Sequence, residues 1–376
     1  MMDNVNSSYS YDWSDYSSKD MYGWDEVIEM YSYSLVDKIV IVIFMPIVVI
    51  FGIIGNIMTI VVIVRNQRMH TSVNVYFANL AIADTLFLAL APDLFWTSIV
   101  DSPLRFEYNI GVENTWICTF YLYVVDTVFQ VAIFIIFAMS IDRYKAICYP
   151  IKFRINNSGS VSRTIKTCCL VWCITFAWQS RKLVWVEIFT RSFPWPDMYN
   201  GVPNSTTTCA YCVDELDCKI NEYLYVFDTC LSLTLILVVA SLYRTMLITL
   251  KTSPFMAINS VNKSRSKSEK TVFLTVFLTV TVFIVCTAPF GIFNFISIFG
   301  NVNYKNTVNP ANILRLALLI NSSVNPIIYN AVNDRFRKAF LNTFCCNNYC
   351  KYTKHTLTND HVVTPVFLVA YLKTHN

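Results

Sequence analysis

Apolar residues fall in long blocks rather than alternating with polar ones. Seven blocks are long enough to cross a hydrocarbon core of about 30 Å, which takes roughly 20 helical residues. They lie near Ile39–Val64, Val73–Val100, Trp116–Ile147, Ile165–Ile188, Tyr223–Leu250, Val272–Phe299 and Val308–Ala331. Helices are predicted because backbone groups in lipid must be satisfied within the segment, and the alternation of barrel strands does not occur. A shorter pattern follows. Asp334-Arg335-Phe336-Arg337-Lys338-Ala339-Phe340 puts Phe336 and Phe340 on one face and bases on the other, which predicts an amphipathic helix on the inner membrane surface. The expected organisation is a polar segment 1–38, a helix bundle 39–331, a surface helix 332–344 and a tail 345–376.

Composition strengthens this picture. Of 376 residues, 55% are hydrophobic and only 14% charged, where soluble domains have about a quarter charged. The net charge of +4 argues for no nucleic-acid partner; the placement of charge says more. Residues 1–36 are polar and acidic with no apolar run, so the expectation is no secretory signal and a first span that anchors itself. Bases gather in alternate connections: Arg65 and Arg68, then Lys152, Arg154 and Arg163, then Lys251, Lys263, Arg265, Lys267 and Lys270, then Arg335, Arg337 and Lys338. The positive-inside rule then predicts an extracellular amino terminus and a cytoplasmic tail. Cys345 and Cys346 follow the surface helix, where palmitoylation would add a second anchor.

The sharpest motif is Asp142-Arg143-Tyr144 at the inner end of span three. Cys118 lies twenty-five residues earlier on the same span, roughly 37 Å away along a helix. One helix thus carries an outer thiol and an inner arginine. Asn325-Pro326-Ile327-Ile328-Tyr329 closes span seven. Proline there frees a carbonyl and kinks the helix, a neighbouring Asn can satisfy freed groups, and a kinked helix offers two arrangements. Gly55-Asn56, Leu80-Ala81-Ile82-Ala83-Asp84, Trp172, and Phe283, Cys286 and Pro289 complete the set. In these motifs, in this order, the chain resembles the rhodopsin-like G-protein-coupled receptors from Ile39 to about Phe344.

That resemblance implies an all-α, seven-helix membrane receptor, not an enzyme. It would hold Arg143 against Asp142 at rest and release it on activation as span six swings outward, with Tyr243 and Tyr329 then approaching Arg143. It implies heterotrimeric G-protein coupling, with arrestin, receptor kinases and membrane lipid as further partners. It joins Cys118 to the loop before span five, Cys209 by spacing, with Cys212 and Cys218 as alternatives. It also implies a sodium ion at Asp84 with Asn321 and Asn325, although Ala132 replaces the usual hydroxyl and a water-filled polar network is the alternative. Two departures bear on the relay: Thr287 stands where a Trp is common, and span five lacks its customary proline.

Ligand class is narrowed by exclusion. Leu319 replaces the lysine a retinal pigment needs, and Val125 the aspartate an amine receptor needs. The outer halves hold Asp93, Asp126, Gln130, Asp228, Asn294 and Arg315, with Arg181 and Lys182 at the end of span four. Such groups pair internally, for instance Asp126 with Arg181, or line a polar pocket. A pocket would take a charged peptide, Arg315 facing a carboxylate or carbonyl and the aspartates facing bases. Glycosylation is expected at Asn6 and Asn204, the sequons on the outer side.

The stretches Thr71–Asp84 and Met139–Lys152 resemble somatostatin, opioid and allatostatin-C receptors. Asn333–Phe340 resembles thyrotropin-releasing-hormone and neuromedin receptors, and the acidic, Tyr-rich amino terminus resembles chemokine receptors. The expectation is a plasma-membrane receptor for an extracellular neuropeptide, with a chemoattractant receptor or a non-signalling scavenger as alternatives.

Overall fold

The computed structural model describes residues 32–92, 115–156, 160–185, 187–192, 205–210, 215–252, 263–299 and 304–344. Its main helices are α1 (Leu35–Arg65), α2 (Ser72–Leu90), α3 (Thr115–Cys148) and α4 (Val161–Gln179). They continue with α5 (Glu215–Thr252), α6 (Lys263–Phe299), α7 (Tyr304–Val332) and the surface helix α8 (Asp334–Phe344). Neighbours in sequence pack closely together except α4 and α5, α5 packing instead against α3 and α6, and α7 returns against α1 and α2 to close the bundle. Six of the described helices are long and apolar enough to cross a membrane. α4 is the one of α1 to α7 that falls short of that mark, because Arg163 and Lys166 sit in its first turns, yet it packs against α2 and α3 as a full member.

The bundle is sided for lipid. α1 turns Ile47, Ile50, Phe51, Ile54 and Ile57 outward and buries Gly52, Asn56 and Thr59. In water that outward face would be an unprotected apolar patch; in a bilayer it faces the matching solvent. Polar side chains can then be kept inside, where they bond to one another.

Helix ends follow local rules. α1 begins at Leu35, four residues before the expected start, because Ser34 and Asp37 form a capping box. Thr71 caps α2 and Ser160 caps α4 through side-chain acceptance of a backbone N–H. Asn333 Oδ1 accepts from Arg335 N and Phe336 N, turning the chain from α7 into α8. α8 lies where the amphipathic pattern puts it, with Phe336 fully buried.

Two features depart from expectation. α1 contains a π turn at Val40–Phe44. Pro46 has no N–H to donate, and Met45 N reaches back to Val40 O instead. In an unbroken helix Asp37 would lie roughly 80° around the axis from Met45; the wider turn absorbs one residue and returns Asp37 to the buried face. The second is between spans four and five. The helix expected to reach Ile188 stops at Gln179, a short turn of helix covers Lys182–Trp185, and Ile188 lies in a strand. β1 (Glu187–Ser192) and β2 (Ser205–Ala210) form an antiparallel hairpin with Ile188 opposite Cys209. The sequence turns polar at Ser180-Arg181-Lys182, and the Thr-rich strands suit a pleated surface better than a helix. Both strands pack against α3.

Candidate functional site

At the inner end of the bundle Asp142 is tied to α2. It accepts from Tyr76 OH at 3.2 Å and Ser72 Oγ at 3.4 Å. Ser72 Oγ is also 2.6 Å from Thr164 Oγ1 of α4, so one carboxylate gathers three helices. Arg143 is half-buried beside it, and Tyr144 packs edge-on to Tyr149 at 5.8 Å. Tyr243 packs against Phe273 and Phe277 of α6. Tyr329 stacks on Phe77 at 4.1 Å and meets Phe336 of α8 edge-on. Both phenol oxygens are buried with no hydrogen-bond partner among the described residues.

The span-seven proline explains a second set of contacts. Pro326 cannot donate to Ser322 O one turn earlier. Asn56 Nδ2 of α1 donates to it at 2.8 Å, and to Gly52 O at 2.9 Å. The adjacent Asn325 instead donates to Asp84 Oδ2 at 2.9 Å. Close approach of α1 and α7 depends on Gly52, where an added Cβ would fall 2.2 Å from Ser323 Oγ. Asp84 and Asn321 are buried, and Asn325 Oδ1 and Asn56 Oδ1 are buried acceptors without a partner among the described residues. One carboxylate with spare amide oxygens is a donor set that suits a hard monovalent cation or water. Among the described residues no three His, Cys, Asp or Glu gather as for a transition metal.

The outer half is built on charge. Asp126 pairs with Lys182 and Asp228 with Arg181, so the pairing drawn from sequence between Asp126 and Arg181 is replaced by two neighbouring ones. The chain turns after Gln179, and consecutive bases point to different helices. Asp228 Oδ1 also accepts from Trp178 Nε1 at 2.8 Å, and the Arg181 guanidinium lies 4.4 Å over the Trp178 ring. α4 is thereby fastened to α3 and to α5. Gln130 is buried below, its Nε2 without a partner among the described residues. Across the bundle Arg315 Nη1 donates to Asn312 Oδ1 at 3.0 Å, and Asn312 Nδ2 to the buried Asp37 Oδ1 at 2.8 Å. Asn294 is half-buried on α6. Apart from Asn294, the described candidate ligand residues thus fall into an α3–α4–α5 group and an α1–α7 group.

Cys118, at the outer end of α3, is buried and disulfide-bonded. The side chains of Cys209, Cys212 and Cys218 lie outside the described residues, as do Asp93, Asn6, Asn204, Cys345 and Cys346.

Comparison with known proteins names the architecture. The family model for the 7 transmembrane receptor (rhodopsin family) matches residues 55–329. The chain belongs to this family. Similar proteins include the mouse somatostatin receptor type 2, 30% identical over 83% of this chain and 79% of that protein. A neuromedin U receptor homologue of Caenorhabditis elegans is 25% identical over 84% and 78%. The rat neuromedin-U receptor 2 is 28% identical over 77% and 71%.

For a rhodopsin-family receptor, three partnerships here were not legible as motifs. Tyr76 and Ser72 as donors to Asp142 need the α2–α3 packing. Asn56 as donor to Ser322 O follows from asking where a proline-freed carbonyl finds its bond. Asp37 and Asn312 are the third, and Ser34-x-x-Asp37 was a readable capping signature.

Proposed function

We propose that this multi-pass receptor lies in the plasma membrane with its amino terminus outside, binds an extracellular peptide and activates a heterotrimeric G protein. What carries the reading is the company it keeps over about four-fifths of its length: receptors named for neuromedin U and for somatostatin, two peptides. In this reading Asp142, anchored to α2 by Tyr76 and Ser72, holds Arg143 until α6 moves. The unsatisfied phenols of Tyr243 and Tyr329 then find their partner at Arg143. A sodium ion, where bound, would be held by Asp84 with Asn321 and Asn325, steadying the resting arrangement.

The peptide pocket lies between the two outer groups. Arg315, oriented by Asn312, meets a carboxylate or carbonyl of the peptide. A basic group on the peptide competes with Lys182 or Arg181 for Asp126 or Asp228, while Gln130 and Asn294 serve as neutral contacts. A Cys118–Cys209 bridge would fix the hairpin over this opening. Asn6 and Asn204 carry glycans, Cys345 and Cys346 palmitate, and the inner face receives receptor kinases and arrestin.

The test is a neuropeptide panel, including neuromedin U and somatostatin peptides, on cells expressing the chain, read by a G-protein activation sensor. A peptide that activates the intact chain and not Arg143→Ala supports the proposal. Uptake of peptide with no G-protein response in the intact chain would replace it with the scavenger reading. For the best hit, unchanged potency in both Asp126→Asn and Arg315→Gln discards the pocket assignment.

A further inference from the structure

Between their inner halves α5 and α6 leave an open groove of about 370 Å³, and it has the chemistry of a binding site. Its walls are apolar, with Leu247 and Ile248 from α5 and Phe277, Val280 and Ile284 from α6. Two cations line it. Arg244 and Lys251 are seven residues apart and both exposed; they share one face of α5, roughly 10 Å apart along the helix. Neither is ion-paired among the described residues, and no acidic side chain lines the groove. Tyr243 forms part of its wall, 4% exposed, with a hydroxyl that has no partner among the described residues.

An exposed arginine within a membrane span is costly unless its head reaches the interface or finds an anion. Arg244 sits two turns from Lys251 on the same face of the inner half, where the basic connections gather, so a headgroup between them lies within reach of both long side chains. A groove that is open to lipid, apolar along its length and cationic at its inner end fits one occupant.

We propose that this groove binds an anionic phospholipid of the inner leaflet. One acyl chain lies along Val280 and Ile284 beside Ala240, and the phosphate is held by Arg244 and Lys251. A lipid held there stands between α5 and α6 and against Tyr243. If α6 moves as proposed for the switch, occupancy biases that movement; the binding itself does not depend on the switch or on any peptide.

The experiment uses the purified full chain and native mass spectrometry, with phosphatidylglycerol and phosphatidylcholine of identical chains added separately. The intact receptor is expected to retain phosphatidylglycerol in preference. Arg244→Gln with Lys251→Gln should weaken that retention by about tenfold or more, as two lost basic contacts to a headgroup imply. Ala240→Trp, which fills the groove and leaves its charge alone, should weaken it as well. Arg335→Gln with Lys338→Gln on α8 should not. Equal retention of the two lipids by the intact receptor overturns the proposal. So does an equal loss in the α8 pair, which would assign the effect to diffuse surface charge. A groove variant that instead splits a receptor dimer replaces the lipid with a second copy of the chain. Melting of each variant in neutral detergent, expected to match the intact receptor for the charge pairs, separates lost binding from lost folding.

Discussion

The inner and outer halves of the bundle handle buried polarity in opposite ways. Outside, opposite charges are matched: Asp126 with Lys182, and Asp228 with Arg181 and Trp178. Inside, the contacts are mostly between neutral groups and polar atoms are left over, among them the Tyr243 and Tyr329 hydroxyls and Asn325 Oδ1, whereas the atoms left over outside are the side-chain amide groups of Gln130 and Gln179 beside the matched charges. A buried polar atom without a partner costs about 1–3 kcal/mol, so a region holding several is not at its only low-energy arrangement. Paired charges resist rearrangement because separating them strands both. The outer half is therefore built to hold a shape, and the inner half to change one.

The largest expected effect breaks the inner side of this contrast. Arg143→Ala should remove peptide-stimulated G-protein activation by at least about tenfold, equivalent to about 1.4 kcal/mol, while surface expression stays near that of the intact receptor. A response of unchanged size would reduce Arg143 to a packing residue. Next comes the outer side. Lys182→Ala and Asp126→Ala each remove one partner of the ion pair. Each should cost about 2 kcal/mol, less than for a fully buried pair, because 34% of the Asp126 side chain is exposed. The double variant should recover about 1 kcal/mol of the sum. Melting of the solubilised receptor reads the cycle; strict additivity would mean the pair holds nothing together.

A smaller effect is expected at the seam between the halves. Asn56→Ala removes the donor to Ser322 O and leaves a proline-freed carbonyl bare, which should cost about 1–2 kcal/mol. Asn56→Asp keeps the shape but offers no donor hydrogen when ionised, and should melt no higher than the alanine variant. If both melt with the intact receptor, the Gly52–Ser323 packing, the Ser323 Oγ bond to Val48 O and the Asn312 bond to Asp37 suffice to hold α1 to α7.

How much of this was legible depends on what set each feature. The spans were readable because lipid forces unbroken apolar blocks, and Asp142, Arg143, Asn325 and Tyr329 because their order on those blocks is distinctive. The hairpin was not, since apolar residues resume at Leu183–Val186 and Ile188 after the polar break at Ser180-Arg181-Lys182 and carry the apparent block past the true end of the helix. Which base meets Asp126 was not legible either. Arg181 and Lys182 differ by one residue, roughly 100° on a helix, and the helix that would have fixed their directions stops at Gln179. Asp37 was hidden by the π turn: an α-helical count puts it off the buried face, and only the bond from Met45 N to Val40 O restores it.

The finest test of the contrast is Tyr329→Phe. The ring makes the packing, stacked on Phe77 and edge-on to Phe336, and phenylalanine keeps it. The hydroxyl is buried with its residue and makes no hydrogen bond of normal geometry among the described residues, Thr279 being the polar group nearest to offering one. Deleting it should leave melting within about 0.5 kcal/mol of the intact receptor, or raise it slightly, because an unmet desolvation cost disappears. Tyr329→Ala, by contrast, should destabilise by about 3–5 kcal/mol through the cavity it leaves. If the hydroxyl finds its partner only in the signalling arrangement, the phenylalanine variant should also shift the equilibrium towards rest, lowering G-protein activation severalfold at unchanged stability. A loss of stability equal to the loss of signalling would place a resting-state bond on this oxygen and remove the argument that the inner half is poised to rearrange.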